Sequence, residues 1–482
     1  PTGTGLTAAS AMTLKDIWTQ RIRSGDPAAS VIYGNLVGYF AKRKLWIRQL
    51  RRRFGDVVEV PHHLAHASSA YRMSGFDEAN ILVIDGLGED HSTTLYHGRD
   101  GVISEPLETY SQYQSLGMLY KTITFMLRFG YFGDGKTMGL SSYGRFREEF
   151  EDILIPRPGG YQIQLGAIRK LSRYARTSED SPLTRDHEDI AHTVQALLER
   201  AAVELARNLH HRTGCRNLCL AGGVALNCNM NAALRSQDFV DDLFVQPGAM
   251  DMGTAIGAAL EVSVGRGAPH SAPLRTVYYG PGFDRDAVSA ALAAAGLPAA
   301  PLPAAELATR VAARLAEGKV VGWFQGRLEF GPRALGNRSI VASPTTREVR
   351  DRVNHIKNRE LWRPLAPSVL LEDVGDWFED ACPSPFMTLT FRIRKDRVPQ
   401  IPGVAHVDDT ARIQTVTREE NPSYHAMITA FKALTGIPMV LNTSFNRREE
   451  PIVCTPAEAI RSYLATDLDC LRIGDFLVEK TP

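Results

Sequence analysis

The feature that most constrains the fold is an alternation of short apolar runs with a long stretch of helical periodicity. The runs Ile81–Ile84, Leu218–Leu220 and Leu243–Val245 have the length of buried strands and are followed by turn-forming segments. Between the first two runs, Arg185–His211 carries apolar side chains at helical spacing, and Gly214 follows as a typical helix stop. Strands that alternate with helices form α/β folds, so we predict an α/β architecture that is α+β in part.

Chain length and a local change in composition predict two domains. A chain of 482 residues suits about two to three domains. Gly265–Pro273 is rich in Gly, Pro, Ala and Ser, which is typical of a linker. We expect one domain at residues 1–270 and another at 275–482. Further predicted elements are a β-meander of Ile81–Ile84, Ser92–Tyr96 and Val102–Tyr110, helices at Ala304–Glu317 and Pro456–Ala465, and strands at Val320–Phe324, Pro438–Leu441 and Cys470–Ile473.

Composition and charge argue against several classes of protein. The 55 basic and 54 acidic residues leave a net charge of +1, whereas dedicated nucleic-acid binders carry a strong basic excess. No run reaches the roughly 18 apolar residues of a membrane helix, and no charged-then-apolar leader opens the sequence. The six cysteines lack C-x-x-C spacing and fit reduced thiols. We therefore expect a cytoplasmic protein that binds neither nucleic acid nor membranes.

Two histidines and two aspartates predict a metal site. His62 and His66 are four residues apart, a spacing that places both imidazoles on one face of a helix. Asp85 is expected at the end of the run Ile81–Ile84, and Asp251 directly precedes a helix start rich in small residues. Imidazole and carboxylate ligands together suit Fe, Mn or Zn, and we take iron as the expected ion. Taken singly, each residue also fits a structural role, as a core histidine, a turn aspartate or a helix N-cap.

Two glycine turns near this set are typical of phosphate binding. The segment from Asp85 to Thr93 resembles the D-G-x-G-x-T-type turn of actin-like ATPases and sugar kinases, in which backbone N–H groups face phosphate. Gly222 and Gly223 follow a predicted strand, and together with Asn227 they are suited to hydrogen-bond a ribose or a phosphate.

In the C-terminal half, arginine and lysine are concentrated within apolar and Gly/Pro-rich segments of the sequence. A guanidinium can bind two phosphate oxygens at once, so several that converge on one pocket would neutralise ATP and an acyl phosphate. For any single arginine the alternative is a surface ion pair, which suits Arg333 and Arg363 least because Gly, Pro and apolar residues flank them. Arg359 belongs to this basic set, and the candidate binding residues are Arg333, Lys357, Arg363, Arg412, Asn442, Ser444 and Asn446.

The motifs at these positions resemble those of one enzyme family. They are HHLAHASSAY from His62, Asp85-Gly86, KTMGL from Lys136, AGGVALN from Ala221, EFGPRALGNRS from Glu329, RPLAP from Arg363 and NTSFN from Asn442. In this order they are similar to the O-carbamoyltransferases of antibiotic biosynthesis and nodulation-factor decoration. The N-terminal β-hairpin usual in such enzymes is not found after Pro1, which leaves open whether a segment is missing, and Asn337 stands where many relatives have histidine.

The resemblance implies a fold, a two-step reaction and roles for particular residues. It implies an actin-like N-terminal domain and a YrdC-like C-terminal domain. In the latter, carbamoyl phosphate and ATP would give carbamoyladenylate and pyrophosphate; in the former, the metal would promote transfer to a hydroxyl of a small natural product. By motif position, the metal ligands would be His62, His66, Asp85 and Asp251, the adenylate would contact Gly222, Gly223 and Asn227, and carbamoyl phosphate and ATP would contact Arg333, Lys357, Arg363, Arg412 and Ser444. The expected catalytic residues are Lys357, Arg333, Asp85 and His62, and the expected cofactors are ATP with Mg and the site metal.

Three other functions fit part of the sequence. A small-molecule kinase of actin-like fold would explain Asp85 and Gly222-Gly223 but not the basic set of the second half. A tRNA threonylcarbamoyl-type transferase would need a basic stripe, which the near-zero net charge argues against. A non-catalytic ATP-sensing module would not need His62, His66 and Lys357 together. The acceptor, whether an aminoglycoside, macrolide, ansamycin or nucleoside hydroxyl, is left open, as is the oligomeric state, with a homodimer among the options.

Overall fold

A computed structural model of the chain describes residues 45–270, 273–297, 299–448 and 450–480. Over these ranges the architecture is mixed α/β, as predicted, with two large sheets that follow one another along the chain. Each helix that the structure describes is too short or too polar to cross a bilayer. Residues 45–54 are helical, and the helices after them are α1 (His62–Ser74), α2 (Leu116–Met126), α3 (Asp134–Ser141), α4 (Leu165–Lys170), α5 (Arg185–Thr213), α6 (Cys228–Arg235), α7 (Met252–Gly265), α8 (Arg285–Ala294), α9 (Ala304–Ala316), α10 (Arg347–Ile356), α11 (Pro422–Thr435) and α12 (Pro456–Leu464).

The first sheet is built from the N-terminal half and has the strand order β3-β2-β1-β7-β8, with β4 also paired to β2. Its central strand β1 is antiparallel to β2 and parallel to β7. The predicted meander is present, but its third strand is divided in two, because Pro106 has no N–H to donate to the ladder. The strands are β1 (Glu78–Gly88), β2 (His91–Arg99), β3 (Val102–Ile103), β4 (Glu108–Ser111), β7 (Asn217–Ala221) and β8 (Asp242–Val245), and a separate hairpin pairs β5 (Leu154–Arg157) with β6 (Gly160–Ile163).

Helix α5 supplies much of the core beneath this sheet. It begins with a capping box in which Thr184 and His187 exchange hydrogen bonds, and it ends at Gly214, whose φ of 71° is left-handed. Its inward side chains, such as Ile190, Leu197 and Leu205, are fully buried, and each contributes about 1.5–3 kcal/mol by removal from water. The helix predicted from hydrophobic spacing is therefore confirmed, two residues longer than predicted.

The second sheet is built from the C-terminal half and has the order β14-β11-β15-β10-β9-β16-β17. Its middle strands are antiparallel, whereas β9 pairs with β16 and β11 with β14 in parallel. Trp323, Tyr424 and Phe445 fill its core and are at most 1% exposed. The strands are β9 (Val321–Phe324), β10 (Arg338–Ala342), β11 (Ala366–Leu370), β14 (Gln414–Val416), β15 (Met439–Ser444), β16 (Cys470–Ile473) and β17 (Phe476–Glu479), with a small sheet of β12 (Thr390–Arg392) and β13 (Thr410–Arg412) beside it.

The motif EFGPRALGNRS forms a loop that is held together from within. The buried carboxylate of Glu329 accepts hydrogen bonds from the N–H groups of Leu335, Asn337 and Arg338 at 2.8, 2.8 and 3.1 Å. Burial raises the pKa of Glu329. The fully buried Arg338 donates to backbone carbonyls, including that of Gln325 at 2.5 Å, and lies 3.7 Å from the ring centre of Phe324. These contacts fix the shape of the loop, of which Arg333 is a part.

The two halves of the chain meet around Trp362. Its ring lies 5.9 Å from that of Phe129, and its carbonyl accepts a hydrogen bond of 3.1 Å from the hydroxyl of Tyr143. Nearby, Lys136 of α3 donates to Glu360 at 2.8 Å. Aromatic packing and an ion pair therefore seat α3 against the loop that follows α10 and carries the basic residues of the second half.

Candidate active site

Four predicted ligand residues come together at one point. One ligand atom from each of His62, His66, Asp85 and Asp251 lies within 4.8 Å of every other. The Nε2 atoms of the two histidines are 3.1 Å apart, and His62 Nε2 lies 3.3 Å from Asp85 Oδ2 and 3.7 Å from Asp251 Oδ1. His66 and Asp85 are buried, whereas Asp251 is 81% exposed. The cluster therefore has a closed inner side and a side open to solvent.

Close packing of two helices creates this cluster. His62 and His66 lie in the first two turns of α1, and Asp251 directly precedes α7. The helices approach so closely at Gly257 that a Cβ there would lie 1.7 Å from the carbonyl oxygen of Ala65. Asp251 occupies the N-cap position but makes no capping hydrogen bond, so its carboxylate is left to face the histidines.

Asp85 lies inside strand β1, which corrects the prediction that the strand ends there. β1 continues to Gly88, and its pairing register with β2 shifts between Ile84 and Gly88. Such a bulge redirects side chains at a sheet edge. Here Asp85 Oδ1 accepts a hydrogen bond of 2.9 Å from the N–H of Gly223, and Oδ2 faces His62. A side chain at Gly88 would collide with His62 and His63, at 2.4 and 2.6 Å.

The charges of the cluster fit a divalent cation. The hydrogen bond that His62 donates to Asp85 raises the pKa of His62, whereas burial lowers the pKa of His66 to about 4. Although burial opposes it, hydrogen bonds from His62 and Gly223 hold the pKa of Asp85 well below its usual range. An ionised carboxylate and a neutral imidazole are what a metal requires of its ligands. Two imidazoles and two carboxylates form a donor set suited to Fe, Mn or Zn.

His63 and the turn around Gly222 surround this cluster. His63 Nδ1 is 2.6 Å from Thr94 Oγ1, and burial lowers the pKa of His63 to about 3. Gly222 has a φ of 88° and lies so close to β1 that a Cβ would meet the carbonyl oxygen of Ile84 at 2.3 Å. The positive φ and the close approach to Ile84 together explain why residue 222 is glycine, since other residues tolerate neither.

Asn227 makes internal contacts. Its Oδ1 caps α6 by accepting from the N–H of Met230 at 3.0 Å, and its amide forms a reciprocal pair with that of Gln195 at 2.8 and 3.0 Å. Gln195 in turn accepts from Tyr120 at 2.8 Å. Gln195 was not predicted, because nothing in the spacing of α5 distinguishes it from other buried positions.

A second candidate site is a cavity of about 280 Å³ between the two halves. Residues of the N-terminal half, including Met138, Ser142 and Cys228, form one wall. Among the lining residues that the structure describes, none is an aspartate or a glutamate. The candidate binding residues that line it are Arg333, Arg363, Arg412, Asn442 and Ser444. Arg359 of the predicted basic set lines it as well, and so does His406, which was not predicted.

The arginines of the cavity are held close together without charge compensation from its walls. Burial and the neighbouring Arg412 lower the pKa of Arg333 to about 9, and burial with Arg363 does the same for Arg359. With a pKa of about 9, Arg333 and Arg359 stay protonated at neutral pH. Among the arginines that line the cavity, Arg359 Nη2 and Arg412 Nε are buried and have no hydrogen-bond partner in the described part of the chain. Such a set attracts a polyanion, because phosphate oxygens would satisfy these donors.

Lys357 lies directly behind the cavity wall. Its ammonium donates to Ser444 Oγ at 3.2 Å, to Asn446 Oδ1 at 2.8 Å and to two backbone carbonyls. Burial, with Arg359 and Arg363 nearby, holds the pKa of Lys357 well below its usual value. Ser444 Oγ also donates to Asn446 Oδ1 at 2.6 Å. The structure thus joins Lys357 to the NTSFN motif, and Arg359 belongs to the same basic segment of the sequence as Lys357.

One short segment connects the two sites. Gly223 donates to Asp85 at the metal-type cluster, and Cys228 and Asn229 line the cavity. Between them, the carbonyl of Leu226 lies 3.4 Å from an Nη2 of Arg333. Residues 223–229 therefore contact both sites.

Comparisons with known proteins agree over most of the chain. The family description Carbamoyltransferase N-terminus matches residues 24–260, and Carbamoyltransferase C-terminus matches residues 312–480. Nodulation protein NolNO of Sinorhizobium fredii is 42% identical over 91% of this chain and 67% of its own length. Nodulation protein NolO of Bradyrhizobium diazoefficiens is 42% identical over 87% of this chain and 79% of its own length.

One matching solved structure is HypF, and its similarity is weak. Full-length HypF in its phosphate- and nucleotide-bound form aligns with 36% of this chain and 25% of its own, at 17% identity and a TM-score of 0.26, values too low to support an argument. The two family matches favour the carbamoyltransferase interpretation over a kinase or a sensing module. The chain belongs to the carbamoyltransferase family and is a carbamoyltransferase.

Proposed function

We propose that this carbamoyltransferase is an ATP-dependent, cytoplasmic O-carbamoyltransferase that takes the carbamoyl group from carbamoyl phosphate and delivers it to a hydroxyl of a small molecule. The observation that carries the proposal is the cavity lined by Arg333, Arg359, Arg363 and Arg412 with no carboxylate among its described lining residues. Such a cavity suits two polyanions together, namely carbamoyl phosphate and the triphosphate of ATP with its Mg.

In the first step, carbamoyl phosphate, ATP and one water molecule give carbamoyladenylate, pyrophosphate and inorganic phosphate in this cavity: water takes the phosphoryl group of carbamoyl phosphate, and the carbamate oxygen then replaces pyrophosphate on the α-phosphorus of ATP. Arg333, Arg363 and Arg412 bind phosphate oxygens and stabilise the negative charge that develops during transfer. Lys357 supports the step by fixing Ser444 and Asn446 at the cavity wall. Asn442, at the same wall, takes part in binding. AMP then becomes the leaving group that a carbamoyl group needs for transfer to a hydroxyl.

In the second step, the carbamoyl group passes to the acceptor at the histidine–aspartate cluster. His62, His66, Asp85 and Asp251 would hold a divalent metal, with iron as the expected ion, and a bound metal supplies Lewis acidity that polarises a carbonyl or orients a phosphate. Gly223 orients Asp85 through its N–H. The turn from Gly222 to Asn227 would hold the adenylate close to the cluster.

The arrangement of the halves supports this division of labour. We assign residues 1–270 to an actin-like transfer domain and residues 275–482 to a YrdC-like adenylate-forming domain. A wall contributed by both halves limits access of water to the activated intermediate. Relatives named as nodulation proteins, and the motif resemblance to enzymes of antibiotic biosynthesis, support a small-molecule hydroxyl as the acceptor.

The decisive experiment needs no acceptor. The purified full chain is incubated with ATP, Mg²⁺ and carbamoyl phosphate, and AMP, ADP and pyrophosphate are measured. Pyrophosphate and AMP that depend on carbamoyl phosphate are the expected products. Release of ADP, or no turnover at all, would contradict the proposal.

Two variants separate the sites. Lys357→Ala is expected to abolish pyrophosphate formation, whereas Asp85→Asn is expected to spare it and to stop transfer to an acceptor. Lys432→Ala, on the outer face of α11 where Lys432 pairs with Asp373 at 2.7 Å, is the matched control and should leave both steps unchanged. A loss of pyrophosphate release in Asp85→Asn without acceptor would show that the two sites are not assigned correctly.

A further inference from the structure

The cavity contains two buried acceptor atoms among its many donors. In the described part of the chain, Asn442 Oδ1 and His406 Nε2 are buried atoms without a hydrogen-bond partner, and both residues line the cavity. The arginines around them offer only N–H groups, which suit phosphate and carbonyl oxygens. Leaving a buried acceptor unpaired costs about 1–3 kcal/mol. A ligand of this cavity is therefore expected to bring hydrogen-bond donors as well as anionic oxygens.

The orientation of Asn442 is fixed by its neighbours. Its Nδ2 donates to the carbonyl of Ala334 at 3.1 Å, to Ser368 Oγ at 2.9 Å and to Gln414 Oε1 at 3.1 Å. Gln414 cannot turn its amide round, since its own Nε2 donates to the carbonyl of Leu335 at 2.8 Å. All nearby acceptors therefore face the nitrogen of Asn442. Its oxygen is left as the acceptor at the cavity wall.

The imidazole of His406 lies between Asp408 and Tyr143. Its Nδ1 lies 3.5 Å from Asp408 Oδ1, an oxygen that also accepts from the hydroxyl and the N–H of Thr410. Although burial opposes it, hydrogen bonds from His406 and Thr410 hold the pKa of Asp408 well below its usual range. The ring packs edge-on against Tyr143 with centroids 5.7 Å apart, and the side chain is 9% exposed. An ionised Asp408 favours the proton on Nδ1, which leaves the lone pair on Nε2.

We propose that His406 Nε2 and Asn442 Oδ1 accept hydrogen bonds from the amino group of the carbamoyl donor, and that they distinguish carbamoyl from other acyl phosphates. The inference rests on the proposed use of carbamoyl phosphate in this cavity. Acetyl phosphate has the same phosphate and carbonyl but a methyl group in place of NH₂. It satisfies the arginines equally well and leaves both acceptors unpaired. Sites that hydrogen-bond a substrate N–H reject analogues that lack it for this reason.

The test compares the two acyl phosphates as ligands by isothermal titration calorimetry with the full chain. Wild-type protein should bind carbamoyl phosphate at least about 10-fold more tightly than acetyl phosphate, the effect of losing one good hydrogen bond. His406→Leu should weaken binding of carbamoyl phosphate by about 10-fold and change binding of acetyl phosphate by less than about twofold. His406→Gln, which keeps an acceptor oxygen, should recover part of the loss. His425→Leu, at a histidine paired with Glu372 outside the cavity, should bind both ligands as wild type does.

Three results would overturn the inference. Equal affinity of wild type for the two ligands would show that the amino group is not recognised, and this measurement needs no variant to fold. Equal weakening of both ligands by His406→Leu would assign His406 to support of the cavity wall. Unchanged binding in that variant would remove it from the site. If neither compound binds wild-type protein, the proposed carbamoyl donor is wrong. This result differs from the three above, so failure of the proposed function can be told from failure of the inference.

Discussion

Replacing Gly257 with alanine should separate the two helices that assemble the histidine–aspartate cluster. The added Cβ would lie 1.7 Å from the carbonyl oxygen of Ala65 and 2.9 Å from the nitrogen of Ser69. Real Cβ atoms essentially never approach another atom within 3.0 Å, so α1 and α7 must move apart by about 1.3 Å, the difference between the two distances. Because both colliding groups belong to the backbone of α1, no side-chain rotation can relieve the contact.

The displacement should lower both the stability of the protein and its affinity for a divalent metal. Overpacking costs up to about 3 kcal/mol, and the better helix propensity of alanine returns about 1 kcal/mol, so the free energy of unfolding should fall by about 2 kcal/mol. Metal–ligand distances tolerate only about 0.2 Å. Ala65 lies between His62 and His66 in sequence, and Asp251 begins the helix that Gly257 belongs to. A shift of this size should therefore weaken divalent metal binding by about 10-fold or more.

Urea denaturation followed by circular dichroism measures the first effect, and titration with Mn²⁺ measures the second. Gly265→Ala is the matched control in the same helix, since a Cβ there meets nothing within 4 Å. It should leave metal binding unchanged and leave stability unchanged or slightly higher. The reasoning is refuted if Gly257→Ala unfolds at the wild-type urea concentration and binds Mn²⁺ as tightly as wild type.

Three further predictions concern buried polar groups. Glu329→Leu removes the acceptor of three N–H groups and should cost about 3 kcal/mol or more in urea denaturation, whereas Glu329→Gln keeps an acceptor and should cost about 1 kcal/mol; equal losses would contradict the assignment. Asn227→Ala removes the cap of α6 and the amide pair with Gln195 and should cost about 2 kcal/mol in the same assay, so wild-type stability would argue against that role. Burial raises the pKa of the Cys219 thiol to about 12, so iodoacetamide at pH 8 should alkylate Cys219 in urea but not in native protein, as peptide mass spectrometry would detect.

Local patterns were enough to predict the elements that carry the site. The spacing of apolar residues gave helix α5 to within two residues, because a helix has one period and a clear glycine stop. The i and i+4 spacing placed His62 and His66 on one face of α1 for the same reason. The prediction for Asp85 was less accurate. A bulge depends on how two strands pair, and the sequence of β1 alone reads as a strand that ends at the first aspartate-glycine pair.

Contacts between distant parts of the chain could not be predicted from local sequence patterns. Asp251 was predicted at a helix start, but its distance to His62 depends on how closely α7 approaches α1 at Gly257. The arginines were predicted as a set, yet the cavity they line also needs Met138, Ser142 and Cys228 from the other half. His406 carried no signal at all, because its importance lies in an unpaired Nε2 that only the surrounding structure defines.

The composition of the cavity wall explains why both halves belong in one chain. Four arginines around a space of about 280 Å³ repel one another, and an anion bound among them would offset this repulsion. One wall of this space comes from α3 and the start of α6, which the Trp362 contacts and the Lys136–Glu360 pair hold in place. Without the N-terminal half, the same arginines would be open to solvent, where phosphate binding is weaker by screening. The wall therefore contributes to anion binding even though its residues from the first half carry no charge.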